Sequence, residues 1–273
     1  MRINEDYYDE ISRDDIVHIP DLIDEEIRQS LLHFLDDKYH PEDGRDVDLS
    51  VITYKKPLLI AGDAEQLSHW TNKYINHFGN KCDLNWIDTS QIIDFSALFR
   101  ESKFNGNISM WNVSNGITFR TMFEHSKFNG NISSWNTSSA KDMSYMFSDS
   151  KFNKPIGKWD VSNVTDMENM FAYSVFDQNI NDWNVSSVED MSSMFEDSRF
   201  NKTLDKWDVS NVIYMNGMFF KSKFNQNIST WNPSKCRDME SMFADSVFNK
   251  DISKWDVSNV YCMASMFDSS KFN

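Results

Sequence analysis

The side chains best suited to chemistry near neutral pH are few and unevenly placed. Five of the six histidines (His18, His33, His40, His69 and His77) precede residue 80, and the three cysteines are Cys82, Cys236 and Cys262. Imidazoles and thiolates bind zinc or act as bases and nucleophiles. His69 and His77 stand eight apart on a segment that reads as a helix, so they can share a face. A metal site there still needs at least one further ligand at an unspecified distance. The cysteines form no CxxC pair and leave an odd count, a usage that suits a reducing compartment. Cys236 fills a slot that holds Val164, Val188 and Val212 elsewhere, so it reads as a small core hydrophobe. Cys262 replaces a recurring aspartate and has no evident charged helper. No GxxxxGK[ST], GxGxxG or HExxH pattern occurs. The expectation is a protein that is not an enzyme and has no cofactor or metal.

What positions these residues is a repeat. Tryptophans recur at Trp86, Trp111, Trp135, Trp159, Trp183, Trp207, Trp231 and Trp255, one step of 25 residues followed by steps of 24. Phenylalanines from Phe99 to Phe267 keep the 24-residue beat throughout. Self-similarity at roughly 20–50 residues is the signature of a stacked array. Such arrays present long surfaces and seldom build deep catalytic pockets.

The segment Phe152 to Phe176 shows the unit. Val164, Met167, Met170 and Phe171 fall on one face of a short helix. Asn163 occupies the N-cap position and Asp166 lies near the positive end of the dipole, with Asp142, Asp190 and Asp238 in the same slot. Two turns are too short to be stable alone, so stacking must hold them. Phe152 through Trp159, with Ile156 apolar, reads as a short strand pairing in parallel with its neighbours. The fold class is therefore an α/β repeat: a leucine-rich-repeat-like solenoid with one short strand and one short helix per 24-residue repeat.

Thirteen of the 15 methionines fall in the two helix slots, where a flexible thioether fills gaps between stacked rings. The spaced indoles have a sharper alternative, stacking on sugars, but buried rings with one polar edge are the simpler reading. Serines from Ser102 to Ser270 and asparagines from Asn105 to Asn249, with Asp177 among them, form two further rows suited to satisfying turn backbone. These rows hold too few carboxylates for calcium.

The run Trp159-Asp160-Val161-Ser162-Asn163-Val164-Thr165-Asp166-Met167, followed by Met170-Phe171, closely resembles the BspA-type leucine-rich repeats, also described as a mycoplasma lipoprotein-type repeat. The resemblance covers about Leu84 to Asn273. It implies a curved solenoid and an association with bacterial surface and host-contact proteins.

Residues 1–83 do not repeat. Asp24 to Lys38 and Ala64 to Phe78 read as helices and Val47 to Tyr54 as a strand, giving an N-terminal α/β cap before a solenoid over 84–273. The chain carries a net charge of −15, of which −10 lies in residues 1–85. That balance repels nucleic acid and favours a cationic protein partner. No apolar run is long enough to span a membrane, and Met1 to Tyr8 lacks the apolar stretch of a signal peptide, so a cytoplasmic location is expected. The function expected is a protein-binding scaffold, such as an immunity protein that inhibits a cationic bacterial toxin; the alternative is a surface or host-contact adhesin. Positions that vary between repeats should report the partner surface. Just before each Trp these include Lys158, Asp182, Lys206 and Lys254. Two residues after each leading Phe they are Lys154, Gln178, Lys202, Gln226 and Lys250. The C-terminal repeat lacks a distinct cap, which invites end-to-end homodimerisation.

Overall fold

The computed structural model describes residues 2–3 and 59–273. The expected helix Asp24 to Lys38 and strand Val47 to Tyr54 lie outside the described residues. Three two-residue strands form a small sheet in the order β1 (Arg2–Ile3), β2 (Leu59–Ile60), β3 (Ile87–Asp88). β1 pairs antiparallel with β2, and β2 pairs parallel with β3, with Leu59 opposite Ile87.

The helix α1 spans Ala64–Phe78, as its periodicity indicates. Its start is a capping arrangement: Asp63 Oδ1 accepts the Gln66 N–H at 2.8 Å, while Gln66 Oε1 accepts the Gly62 N–H at 3.1 Å. Gly79, at φ 82°, ends it and returns its N–H to Ile75 O. Leu67, Thr71 and Tyr74 are buried, and the Tyr74 ring lies 4.8 Å from Trp86. α1 thus covers the first indole of the array. Phe78, expected on the same face, is 42 % exposed.

From Leu84 onward each 24-residue unit is one coil laid against the next. Parallel bridges link Asp94, Thr118, Asp142, Asp166, Asp190, Tyr214, Asp238 and Cys262 in succession. This ladder runs through the half of the unit expected to be helical, not through Phe152–Trp159. Among the described residues neither the repeated helix nor the repeated strand occurs.

Backbone bonding explains the difference. Two residues per coil, such as Asn169 (φ 54°) and Tyr173 (φ 56°), adopt the left-handed conformation and interrupt the i→i−4 pattern. N–H groups then alternate in target. Those of Met170, Ala172 and Ser174 close tight turns onto Met167, Asn169 and Phe171. Those of Met167, Asn169, Phe171 and Tyr173 reach Asp190, Ser192, Met194 and Glu196 of the next coil at 2.7–3.0 Å. A helix would have kept all of these donors within its own segment. The turns still aim Met167, Met170 and Phe171 inward, which is why the pattern resembles one helical face. Asn163 is likewise not an N-cap: its Nδ2 donates to Ser138 O, 25 residues back, at 2.8 Å.

Other rows tie the opposite half of each coil. The side-chain oxygen of each residue in the row Asn105 to Asn249 accepts the backbone N–H of the residue 24 positions later, at 2.8–3.2 Å. Seven indole N–H groups, from Trp111 to Trp255, donate to the carbonyl 27 residues back at 2.9–3.1 Å. The rings stack along the array, Phe147 on Phe171 at 5.8 Å and Trp135 on Trp159 at 6.2 Å. One buried apolar cluster runs from Ala61 to Met266.

Between positions such as Met167 and Tyr173 the inter-coil bonds run from N–H to the following coil, whereas the N–H groups of Thr165 and Asp166 reach back to Lys141 O of the preceding coil. The N–H groups of Met263, Ser265, Phe267 and Ser269 hold the corresponding positions in the last coil and have no backbone acceptor among the described residues.

Candidate interaction surface

Packing fixes the inward slots, so function must lie in what faces out. The eight repeat indoles are buried, and those from Trp111 to Trp255 are hydrogen-bonded, which removes them as sugar-stacking platforms; the buried Trp86 Nε1 has no partner among the described residues. Twelve of the thirteen slot methionines are buried; Met263, in the last coil, is exposed. Burial pushes the Cys82 and Cys236 thiols up to about 11, so neither is a ready nucleophile. His69 and His77 are exposed on α1. Among the described residues, the one group with ligand-like spacing is Asp238, Glu240 and Cys262, within 4.8 Å of one another. Asp238 Oδ1 there already accepts the Glu240 N–H at 2.9 Å, and Glu240 is exposed.

The two rows expected to contact a partner are placed differently from one another. In the row after each leading Phe, Gln178 and Gln226 donate to Asn153 and Asn201 of the preceding coil at 3.0 Å, and Lys202 pairs with Asp177 at 2.8 Å. Lys154 is half-buried and Lys250 exposed. In the row before each Trp, Lys158, Asp182, Lys206 and Lys254 are all exposed, and Lys206 pairs with Asp182 at 2.6 Å. The structure therefore brings Asp182 with Lys206, and Asp177 with Lys202, as ties between coils rather than gathering either row into one site.

A further surface, which the sequence reading passed over, follows the bridge ladder. Just before the bridging position the residues are Ile93, Ile117, Lys141, Thr165, Glu189, Ile213, Arg237 and Tyr261. All are exposed except Ile213, which is half-buried; Ile93 is 58 % and Tyr261 72 % exposed. The signal was available as variation in the second slot of the V-x-D-M stretch. On a helix this slot is one outer-face position among several; on the bridge ladder it forms a continuous row.

The bridging row is acidic at its centre. Asp142, Asp166 and Asp190 stack in successive coils, each using Oδ1 to accept the N–H two residues on, at 2.8–2.9 Å. Asp142 Oδ2 lies 3.4 Å from Thr118 Oγ1; among the described residues Oδ2 of Asp166 and of Asp190 accepts no hydrogen bond. No ion pair to any of the three occurs among the described residues. Burial pushes Asp166 up to about 6, reinforced by the charges of Asp142, Asp190 and Glu168 and opposed by the Glu168 N–H. Tyr145 closes one side, its hydroxyl donating to Glu168 at 2.7 Å; burial and that carboxylate push the phenol up to about 12.

Among the described residues, no helix is long and apolar enough to cross a membrane. No curated protein and no solved structure matches the chain. A family described as "Mycoplasma protein of unknown function, DUF285" matches twice in tandem, over residues 69–175 and 172–273, from within α1 through the coils. Most of the sequence lies within those two matches, and the chain belongs to this repeat family.

Proposed function

We propose that this chain is a non-enzymatic protein-binding scaffold: a leucine-rich-repeat-like solenoid of the BspA type, capped by residues 1–83, that engages a cationic protein in the cytoplasm. The observation carrying this reading is the division of labour within each coil. Inward slots repeat Trp, Met and Phe, while outward rows change from coil to coil on a chain of net charge −15. A surface held rigid by stacking and varied only outside is what recognition of one large partner requires. The raised Cys82 and Cys236 thiols and the lack of a nucleotide or metalloprotease motif argue against a catalytic role. An inhibitor of a basic toxin domain is the specific form this takes.

Self-association by the C-terminal coil is a lesser part of the reading. A symmetric end-to-end pair would set the N–H groups of 263–269 against one another. Contact with the carbonyl side of another coil satisfies them, so head-to-tail contact is favoured.

The test is purification of the tagged full chain from its native cells at low salt, with mass spectrometry of what elutes as salt rises. A stoichiometric basic protein released by salt supports the scaffold reading. A chain found outside the cell, or one bound only to itself, overturns it in favour of a surface role or self-assembly.

A further inference from the structure

Resting on the scaffold reading, the geometry points to the bridge-ladder face as the docking surface for an extended cationic segment of a partner protein, laid along the array. We infer a segment with apolar residues at its first and seventh positions and Lys or Arg at its third and fifth.

The argument begins with charge. Asp142, Asp166 and Asp190 are stacked like charges with no cation paired to them among the described residues, and two of them keep an unbonded oxygen. Glu168 adds to the same field at Asp166, and the exposed Glu189 precedes Asp190; the cations Lys141 and Arg120 lie at the Asp142 end, where Arg120 donates to Ser144. Elsewhere the chain neutralises such acids itself, as Lys202 does for Asp177 and Lys206 for Asp182. The strip is thus least compensated at Asp166 and Asp190, where it is complementary to cations from another molecule.

Apolar flanks frame the strip. Ile93 and Ile117 lie on one side of it, and Ile213, Tyr214 and Tyr261 on the other. Four of the nine exposed large hydrophobics among the described residues therefore fall in these two neighbouring rows.

Length decides the conformation of the occupant. Parallel backbones sit about 4.8 Å apart, so Ile117 and Ile213, four coils apart, are separated by roughly 19 Å. An extended chain advances about 3.3 Å per residue, so positions one and seven span about 20 Å. Positions three and five then stand about 6.6 Å apart, above a carboxylate strip about 10 Å long. A helical segment of seven residues would span only about 9 Å between the same positions and would miss one flank.

The probe is the capped, fluorophore-labelled heptapeptide Ile-Ser-Arg-Ser-Arg-Ser-Ile, titrated with the full chain at low salt and followed by anisotropy. The Asp166→Asn/Asp190→Asn double variant keeps the Oδ1 acceptors that cap the turns; circular dichroism checks its fold. Saturable binding that weakens at least tenfold in this variant, and is unchanged in Lys206→Ala, is expected. A probe with Glu replacing Arg should not bind. Absence of saturable binding up to millimolar chain, or equal binding by the double variant, overturns the proposal. If the double variant still captures the native basic partner, the docking face is wrong while the scaffold reading stands; if the parent chain captures none, the scaffold reading itself fails.

Discussion

Asp166→Asn should stabilise the protein at neutral pH, although it removes a charge and adds no contact. In the folded chain the carboxyl is pushed from an ordinary 3.8 up to about 6, chiefly by burial and then by its stacked neighbours. Each tenfold change in ionisation is worth about 1.4 kcal/mol, which sets a ceiling of about 3 kcal/mol. The group is only half-buried, so screening reduces this to about 1–1.5 kcal/mol. A raised carboxyl pKa means that the folded state holds its proton more tightly. The cost of ionised Asp166 is therefore fully present above pH 6, shrinks as pH falls through 6, and vanishes below about 4. Asparagine retains an oxygen for the Glu168 N–H, so the turn survives. Urea unfolding of both proteins at pH 7.5, 5.5 and 3.8 gives the difference directly. Serine caps hold Asp160, Asp208, Asp251 and Asp256 low in both proteins, so their opposing pH dependence cancels. A variant that is less stable at every pH, or whose advantage does not change with pH, would refute the reasoning.

Three other substitutions probe separate ties. Asn153→Ala strips acceptors from the Asp177 N–H and from Gln178 Nε2 and should cost about 1–2 kcal/mol, measured by the urea midpoint. Trp183→Phe keeps an aromatic ring but removes the indole bond to the Ile156 carbonyl, which still accepts the Trp159 N–H; with the smaller ring the loss is about 1–2 kcal/mol in the same assay. Thr121, β-branched at φ 55°, occupies the slot that Asn169 and Gly217 fill in other coils. Thr121→Asn should gain about 0.5–1 kcal/mol, seen as a higher melting temperature. Sedimentation against concentration tests the end contact: head-to-tail association gives a growing series of species, whereas a symmetric pair stops at two.

The sequence made the core legible because packing allows little choice there. Trp, Met and Phe must repeat wherever rings stack on rings, so period, buried slots and the hydrogen-bonded asparagine row could all be read from spacing. α1 was equally plain, since a 15-residue helix carries its own caps and apolar face. The coil conformation was hidden. Left-handed residues are usually announced by glycine or asparagine, yet here Ala97, Thr121, Tyr145 and Tyr173 adopt that conformation. Stacking holds them there, through bonds made 23 residues away that no local window can contain. Without that information Met-x-x-Met-Phe reads as a helix, whereas the repeated bridges run through that half of the unit. The acidic strip was missed for the same reason: on a helix Asp166 is a solvated first-turn residue, whereas on a bridge ladder it faces Asp142 and Asp190.

Residue-resolved hydrogen exchange on the intact chain tests the coil ladder most directly. At dilutions where sedimentation shows a single chain, the N–H groups of Met143, Tyr145, Phe147 and Asp149, bonded to the next coil, should be strongly protected, and those of Met263, Ser265, Phe267 and Ser269 should exchange rapidly. Rapid exchange of the first set, or equal protection of the second, would contradict the stacked coils on which the docking face depends.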